Sequence, residues 1–230
     1  MDRILIVGAS RGIGAELARS LRGEARLWGV SREPGSDGFE ATRSWDAGSQ
    51  DFPAEFVPAR LNGLVYCPGT IRLEPFGKLT DQAYEDDFRV NLLGAVRAIR
   101  AALPALKAAE QASIVLFSTV AVTTGMPMHA CVAAAKGAIE GLTRSLAAEF
   151  APQIRVNAIA PSLTDTPLAG ALLRTDRQRS AAADRHPLER VGDVADQAAA
   201  ARFLLSREAG WITGQILHVD GGLGAVRRFK

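Results

Sequence analysis

Short apolar runs alternate along the chain with longer stretches in which apolar residues recur about every 3.6 positions. The runs are continuous rather than alternating, which is typical of strands that are buried on both faces. They cover residues 4–7, 26–30, 63–66, 114–118, 155–159 and 216–219. The helical periods contain Ala15, Leu17, Ala18 and Leu21, then Leu92, Val96, Ile99, Leu103 and Leu106, and then Ala135, Ile139, Leu142, Leu146 and Phe150.

This order of elements predicts an α/β fold: one Rossmann-like, doubly wound parallel sheet flanked by helices on both faces. We expect a single domain over residues 1–230. Asp193 is placed to cap a helix that runs to about Leu205. The connection from Val30 to Ser44 is interrupted by proline and glycine, so it is too short and too broken for a full crossover helix.

The segment 162–187 follows the fifth predicted run and lacks a strong period. Ligands of open α/β sheets bind beyond the carboxyl ends of the strands, where this segment would lie. We therefore expect it to act as a lid. Its leucines suggest an apolar pocket wall, while its arginines either meet an anionic substrate or lie solvated on a helix face.

Composition and charge exclude several classes of function. The formal net charge is +2, which gives no basis for a nucleic-acid or membrane partner, and no apolar run approaches the length of a membrane span. The basic residues Arg227, Arg228 and Lys230 are expected to form a solvated terminus. The first run begins too early to leave room for a signal peptide, so we expect a cytoplasmic protein. The three histidines lack metal-ligand spacing, and two cysteines make no disulfide framework.

A glycine-rich loop joins the first run to the first helix and predicts a dinucleotide site. Gly8 allows a tight turn, Gly12 lets the backbone approach a pyrophosphate, and Gly14 allows close packing of helix on strand. The pyrophosphate would then meet the positive N-terminus of the helix. The residues between the glycines that we assign to this site are Ser10, Arg11 and Ile13.

The residues after the second run favour NADP over NAD. No acidic side chain stands at Ser31 or Arg32, where one would bind the bare ribose hydroxyls. Arg11 and Arg32 would instead suit a 2′-phosphate, because guanidinium groups bind phosphate through paired hydrogen bonds. The alternative is that Arg32 pairs with Glu33 or Asp37 in solvent.

The spacing Gly-x3-Gly-x-Gly resembles that of the short-chain dehydrogenase/reductase family, and the resemblance extends along nearly the whole chain. It includes Asp46, Asn91 within Val-Asn-Leu-Leu-Gly, the segment from Arg155 to Pro161, and Trp211 through Gly222. It implies an NAD(P) cofactor, hydride transfer to or from a small molecule, and assembly into homodimers or homotetramers. Asp46 would contact the adenine amino group, Asn91 would hold a proton-relay water, and Pro161, Thr164 and Thr166 would border the nicotinamide and phosphates.

The chain departs from the family pattern at several positions. The family's Asn-Asn-Ala-Gly is replaced by Tyr66-Cys67-Pro68-Gly69, although Cys67, Pro68 and Gly69 keep their predicted place beside the cofactor. Ser162 replaces a glycine. Thr119 stands where the resemblance implies a serine that polarises the substrate carbonyl, and threonine still supplies a hydroxyl group.

The most serious departure is Val132, which stands where the resemblance implies the catalytic tyrosine that donates a proton. Lys136, four residues later, is present and would face the same way on a helix. Losing a general acid typically costs about 10²–10⁴-fold in rate. His129, Tyr66 and Cys131 are weak substitutes: a loop histidine, a core tyrosine and a buried structural cysteine are the more ordinary interpretations.

Three functions therefore stay open. The first is an NADP-dependent carbonyl reductase or alcohol dehydrogenase with an altered proton donor, in which Asn91, Thr119 and Lys136 act. The second is a catalytically silent NADP(H)-binding sensor or scaffold, and the third is another reaction on the same fold. The helices near residues 92–106 and 133–150 would pair two subunits through small residues, unless those residues only pack on the sheet: Ala98, Ala101, Ala102, Ala147 and Ala148.

Overall fold

A computed structural model of the protein describes residues 1–35 and 37–227. Seven strands form one sheet in the order β3-β2-β1-β4-β5-β6-β7, and every neighbouring pair is parallel. The strands are β1 (Asp2–Val7), β2 (Ala25–Ser31), β3 (Ala41–Ser44), β4 (Gly63–Tyr66), β5 (Ala112–Phe117), β6 (Ile154–Pro161) and β7 (Ile216–Val219). This confirms the predicted doubly wound sheet. Ser118, which the fourth predicted run included, lies just beyond β5.

Helices cover both faces of the sheet. They are α1 (Gly12–Ser20), α2 (Asp81–Phe88), α3 (Gly94–Lys107), α4 (Ala121–Thr124), α5 (Ala130–Phe150), α6 (Asp176–Ala183) and α7 (Val194–Leu205). Leu5 and Val7 of β1 point into a core shared with α3 and α5, whereas Ile4 and Ile6 point into a second core shared with α1 and α7. Successive side chains of a strand alternate between faces, and both faces are covered. The strands therefore read as continuous apolar runs.

The predicted helix over 92–106 is divided. A π-helical turn over Arg89–Leu93 joins α2 to α3, with Asn91 fully buried inside it. Asn91 Nδ2 donates to the carbonyl oxygen of Asp87 at 2.9 Å. This side chain competes for the carbonyl with the regular backbone ladder, and such one-turn widenings are frequent at functional sites.

Two predictions about helix ends and connections agree with the structure. Asp193 caps α7, with its Oδ1 accepting from the backbone N–H of Ala195 at 2.8 Å. In the described part of the connection between β2 and β3, which omits Ser36, the chain forms turns and bends rather than a helix. The short β3 therefore pairs with β2 without a crossover helix.

The segment 162–187 has more regular structure than its period indicated. It contains a 3₁₀ turn over Pro167–Leu172 and then α6. Ala169, Leu173 and Ala182 form a small core of their own. All four arginines of the segment are exposed, which agrees with solvated side chains: Arg174, Arg177, Arg179 and Arg185.

The proposed helix-pairing alanines need a correction. Ala98 and Ala102 of α3 are 0% exposed, and Ala147 of α5 is 5% exposed. These three pack within the chain's own core, so they offer no surface to a second subunit; Ala101 is half-buried and Ala148 is exposed. Among the described residues, no helix is long and apolar enough to cross a membrane. Arg228 and Lys230 of the predicted basic terminus lie outside the described residues.

Candidate active site

A cavity of about 440 Å³, here called the larger cavity, opens at the carboxyl ends of β1, β2 and β4. Many of the residues predicted to bind a dinucleotide line it. They are Gly8, Ser10, Arg11, Gly12, Ile13, Gly14, Arg32, Asp46, Cys67, Pro68, Gly69 and Thr166. The sequence did not single out Trp45, Thr70 or Val90 for this site, although all three also line the cavity.

Each glycine of the loop is needed for a different geometric reason. Gly8 has φ +84°, and a Cβ there would lie 3.1 Å from Cys67 Cβ and from Pro68 Cδ. Gly12 has φ +58°, a conformation that favours glycine. A Cβ on Gly14 would lie 2.3 Å from the Gly8 carbonyl oxygen, so α1 packs against the loop only because no side chain intervenes. The loop is thereby held close to the strand and open toward the cavity.

The N-terminus of α1 supplies donors for an anion. Arg11 is the residue before the helix, and it makes no side-chain cap. The first backbone N–H groups of a helix have no intrahelical acceptor, and the helix dipole adds partial positive charge there. A phosphate at this end would satisfy both features. The glycine-rich loop therefore fits a pyrophosphate.

Two unpaired guanidinium groups border the larger cavity. Arg11 and Arg32 are exposed, and among the described residues neither forms an ion pair. Asp37, one of the partners considered for Arg32, instead accepts from Arg22 at 2.7 Å. Glu33 also lines the cavity, which the sequence analysis treated only as a partner of Arg32. Both signs of charge are present where the ribose would lie.

Asp46 and Cys67 both line the cavity. Asp46 Oδ1 accepts from the backbone N–H of Gly48 at 2.8 Å. Burial raises the pKa of the Cys67 thiol to about 12, so this cysteine stays protonated near neutral pH and contributes no charge. Its role in the cavity is one of shape.

Lys136 brings the only buried ammonium group of the described residues to this region. The side chain is 7% exposed, and Nζ donates to the carbonyl oxygen of Phe117 at 2.9 Å. A Cβ built on Gly69 would lie 3.4 Å from Lys136 Nζ and 3.2 Å from Asn91 Oδ1, so all three groups meet at one wall. Burial lowers the pKa of Lys136 to about 8, although the nearby Cys67 and Asp87 act in the opposite direction.

A hydrogen-bond network joins Asn91 to the cavity. Asn91 Nδ2 donates to Thr70 Oγ1 at 2.6 Å, and Asn91 Oδ1 accepts from the backbone N–H of Thr70 at 3.3 Å. Thr70 Oγ1 in turn donates to Asp87 Oδ1 at 2.8 Å. Thr70 and Asp87 were not predicted from the sequence to belong to the site. The available signal was the spacing of Asp87 and Asn91, which are four residues apart and therefore share a helix face.

Val132 lies one helical turn before Lys136 on α5 and is 5% exposed. It carries no group that donates or accepts a hydrogen bond. Thr119 is half-buried at the start of the loop after β5, and its Oγ1 accepts from the backbone N–H of Ala121 at 3.3 Å. Its neighbour Ser118 donates to the buried Glu140 at 2.8 Å. Thr119 is therefore the hydroxyl of this pair that is free of a side-chain partner among the described residues.

The three substitute donors considered for Val132 lie in ordinary environments. His129 is the residue before α5, and its Nδ1 lies 2.7 Å from the Pro127 carbonyl oxygen. Tyr66 is 2% exposed and donates to the Val90 carbonyl oxygen at 2.6 Å, and burial raises its pKa. Cys131 is fully buried, and burial, followed by its contact with Asp87, raises the pKa of its thiol to about 12. These surroundings match the loop histidine, core tyrosine and structural cysteine of the sequence analysis.

Three of the predicted cofactor residues do not line the larger cavity: Lys136, Pro161 and Thr164. Pro161 ends β6, and Thr164 lines a separate, smaller cavity of about 310 Å³. In the smaller cavity His186 Nε2 lies 2.8 Å from Ser162 Oγ, while its Nδ1 lies 2.7 Å from the Ala182 carbonyl oxygen. Thr166 does line the larger cavity, and a Cβ on Gly12 would lie 3.6 Å from it.

Together these residues can hold a dinucleotide and position an acceptor beside it. The loop and the α1 N-terminus suit the pyrophosphate, the guanidiniums suit a phosphorylated ribose, and Lys136 lies behind Gly69. Val132 supplies no hydrogen-bond donor at position 132.

Comparisons with known proteins identify relatives of this chain. A family model described as enoyl-(acyl carrier protein) reductase matches residues 41–224. A tropinone reductase homolog of Arabidopsis thaliana is 33% identical over 239 residues, covering 95% of this chain and 91% of that protein. The inactive 2-(S)-hydroxypropyl-CoM dehydrogenase 2 of Xanthobacter autotrophicus is 34% identical over 215 residues, covering 88% and 87%.

Solved structures of dehydrogenases are also similar to this chain. A gluconate 5-dehydrogenase from Burkholderia cenocepacia, in complex with NADP and tartrate, superposes with a TM-score of 0.89 at 28% identity. The superposition covers 98% of this chain and 96% of that one.

Proposed function

Because the chain belongs to the short-chain dehydrogenase/reductase family, whose members are NAD(P)-dependent oxidoreductases, we propose that it interconverts a carbonyl compound and an alcohol with NADP(H). The observation that supports this proposal is a single cavity that begins at a glycine-rich phosphate loop and extends to Gly69 and Thr70. Lys136 and Asn91 lie directly behind Gly69. Members of the family usually act on small molecules, and we expect a small-molecule substrate here.

The residues present fit the cofactor. The backbone of Gly12 and Ile13 at the α1 N-terminus would bind the pyrophosphate, and Asp46 would face the adenine. Thr166 and the wall of Cys67, Pro68 and Gly69 would border the nicotinamide end. When bound, the cofactor supplies or accepts the hydride.

Two side chains are proposed to act on the substrate oxygen and the ribose. The Thr119 hydroxyl would orient the carbonyl, and the Lys136 ammonium would hold the ribose while stabilising negative charge nearby. With a pKa of about 8, Lys136 is cationic at neutral pH. Position 132, which we propose to be the family's proton-donor position, contributes only an apolar wall, so the proton must come from another group.

A second candidate function follows from Val132 itself. A buried valine cannot transfer a proton, and one relative of similar identity is named an inactive dehydrogenase. Under this alternative the protein binds NADP(H) as a sensor or scaffold without turnover. Turnover by the wild type that is lost in Lys136→Ala would exclude it.

The preference for NADP rests on the two free guanidiniums. Arg11 and Arg32 lack carboxylate partners among the described residues, so their charge is available to a 2′-phosphate. One similar protein binds NADP. The carboxylate of Glu33 acts against this preference, which makes the NADP and NAD affinities the first quantities to measure.

Further expectations accompany the proposal. We propose that residues 162–187 form a lid over the substrate, since the 3₁₀ turn over Pro167–Leu172 reaches the larger cavity through Pro167 and Leu168. A homodimer or homotetramer, which light scattering would detect, and a cytoplasmic location stay predictions.

The experiment that tests the function is a calorimetric titration with NADPH, NADH, NADP and NAD, followed by a screen of ketones and quinones with the dinucleotide that binds. NADPH binding with reduction of a carbonyl compound supports the oxidoreductase. Binding without turnover, but with activity gained in Val132→Tyr, supports the silent protein. Binding of none of the four contradicts both functions.

A further inference from the structure

A buried carboxyl group lies one hydrogen bond away from the larger cavity. Asp87 is 1% exposed, and its Oδ1 accepts from Thr70 Oγ1 at 2.8 Å. Thr70 lines the cavity, so its hydroxyl group has the carboxyl on one side and the cavity on the other. Asn91 Nδ2 bonds both partners, at 2.6 Å to Thr70 Oγ1 and at 2.9 Å to the Asp87 carbonyl oxygen. The geometry of the pair is therefore fixed by the π-helical turn.

The other carboxyl oxygen of Asp87 lacks a strong donor. Asp87 Oδ2 is buried, and the Cys131 thiol that contacts Asp87 is only a weak hydrogen-bond donor. Burying a carboxylate costs free energy when its oxygens lack hydrogen-bond donors. Protonation of the carboxyl group removes the negative charge and with it this cost. Nothing in the cofactor-binding role of the cavity requires this acid, so it calls for a different explanation.

Charged and titratable groups approach Asp87 from three elements. Lys136 and Cys131 of α5 interact electrostatically with it. Arg72, in the loop after β4, and Asp86, on α2 itself, act on the same Cys131 thiol. The interaction with Lys136 places the Asp87 carboxyl group near the wall at which the nicotinamide end of a cofactor is expected.

The bond between Thr70 and Asp87 can carry its hydrogen on either oxygen. When the carboxyl is ionised, Thr70 donates to it. When the carboxyl is protonated, Asp87 donates to Thr70 Oγ1, and the hydrogen of Thr70 is free to point into the cavity. A threonine hydroxyl has one donor and two acceptor sites. In this second arrangement Asp87 and Asn91 fill both acceptor sites, and the donor is left for a ligand.

We propose that Thr70 and Asp87 hold and deliver the proton that Val132 cannot supply. The proposal rests on the proposed carbonyl reduction. As the carbonyl carbon accepts hydride, the carbonyl oxygen takes the hydrogen of Thr70 Oγ; the Thr70 O–H bond breaks and the O–H bond of the alcohol forms. Asp87 then reprotonates Thr70 and becomes a carboxylate. It regains a proton from solvent through Thr70 and the open cavity after the alcohol leaves, and alcohol oxidation runs the same steps in reverse.

Thr70 is thus the catalytic residue of the pair, and Asp87 is a positioning residue that acts through it. Loss of either side chain should lower the rate of the reaction. Removing a general acid lowers kcat by about 100-fold or more. Binding of the dinucleotide, which depends on the glycine-rich loop, should not change.

The first test compares Asp87→Asn with Asp86→Asn, the same change at the neighbouring residue, whose side chain is 48% exposed. With NADPH and a carbonyl compound that the wild type reduces, we expect kcat of Asp87→Asn to fall by about 100-fold. KM and NADPH affinity should be unchanged. Equal kcat values for the two variants would overturn the proposal.

The second test compares Thr70→Val with Thr70→Ser, and it decides the matter even if Asp87→Asn does not fold. The valine variant should lose activity to the same extent, and the serine variant should keep it. Adding Val132→Tyr to Thr70→Val should restore turnover, because a tyrosine would make the hydroxyl of Thr70 dispensable. Wild-type kcat in Thr70→Val would overturn the proposal.

A spectroscopic readout needs no turnover. The protonated carboxyl should give an infrared C=O band that shifts in D₂O, is present in the wild type and Asp86→Asn, and is missing in Asp87→Asn. Absence of this band across the pH range of activity contradicts the proposal. A wild type that binds NADPH and turns over while Thr70→Val does so equally refutes the proton route alone. A wild type that binds no dinucleotide refutes the proposed function, and the proton route with it.

Discussion

At the scale of single residues, burial decides what the ionisable groups of the cavity can do. Lys136 keeps a buried ammonium with one protein acceptor, the Phe117 carbonyl oxygen. Tyr66 and Cys131 are buried too, and burial raises the pKa of both side chains, so both stay protonated. The groups that stay available to a ligand are therefore the free guanidiniums, the Lys136 ammonium and the Thr119 hydroxyl, whereas the Thr70 hydroxyl donates to Asp87.

The low pKa of Lys136 predicts a pH-dependent stability. Its pKa falls from an ordinary 10.5 to about 8 in the folded protein, so between these values the unfolded chain binds a proton that the folded chain lacks. The free energy of unfolding of the wild type should then rise with pH across this window, by ~3 kcal/mol for this group. Urea titrations at several pH values should show this rise in the wild type and lose it in Lys136→Met. Parallel curves for the two proteins would contradict the shift.

The opposed charges beside the ribose position predict a tunable cofactor preference. Glu33→Gln removes a carboxylate that would repel a 2′-phosphate, so we expect it to tighten NADPH binding several-fold and to leave NADH binding little changed or weaker. Arg32→Ala should do the reverse to NADPH. Calorimetric dissociation constants for both dinucleotides measure this. An NADPH affinity that neither variant alters would mean that the ribose phosphate lies elsewhere.

At the scale of elements, two local irregularities build the site. The π-helical turn over Arg89–Leu93 aims Asn91 at Thr70, and the glycine-rich loop brings α1 against β1. Neither feature is visible in apolar periodicity. Both arise where a polar side chain or a missing side chain lets the backbone leave its regular path.

The contact between α1 and its loop gives a prediction about stability. In Gly14→Ala the new Cβ would lie 2.3 Å from the Gly8 carbonyl oxygen, a backbone atom that cannot move aside without shifting the loop. We expect a loss of about 1–3 kcal/mol, as for other overpacked sites. Gly141→Ala on α5 is the matched control: nothing lies within 4 Å of its Cβ position, so it should stabilise the helix by about 0.5–1 kcal/mol. Urea midpoints that move in the same direction would contradict this.

At the scale of the whole molecule, the strand order places the site. Parallel strands bring all their carboxyl ends to one edge, and the chain leaves β1 toward β2 on one side and returns to β4 on the other. The larger cavity lies at this reversal, the usual ligand position in open α/β sheets. Residues from Gly8 to Leu168 meet there although they are far apart in sequence.

Because the cofactor would bind the folded chain alone, it should stabilise the entire molecule. NADPH at about 100 times its dissociation constant should add about 2.7 kcal/mol to the free energy of unfolding. For a chain of this size that corresponds to a rise of roughly 5–10 °C in Tm. Thermal denaturation with and without NADPH measures it, with pyrophosphate at equal concentration as the control. An unchanged Tm, or an equal rise with pyrophosphate, would count against a dinucleotide site.

The sequence by itself determined the layered α/β fold, because buried parallel strands and amphipathic helices differ in the pattern of their apolar residues. It also determined the glycine-rich loop and the Asp193 cap, since both depend on neighbouring residues. It left open whether Ala98 and Ala102 of α3 pack on the sheet or meet a partner, because periodicity cannot distinguish these two faces, and the structure shows that both are buried in the core. Only the tertiary structure decided that Asp87, Thr70 and Lys136 approach one another and that Glu33 joins Arg32 at the cavity. Such contacts depend on where separate strands and helices end in space, which no local pattern records.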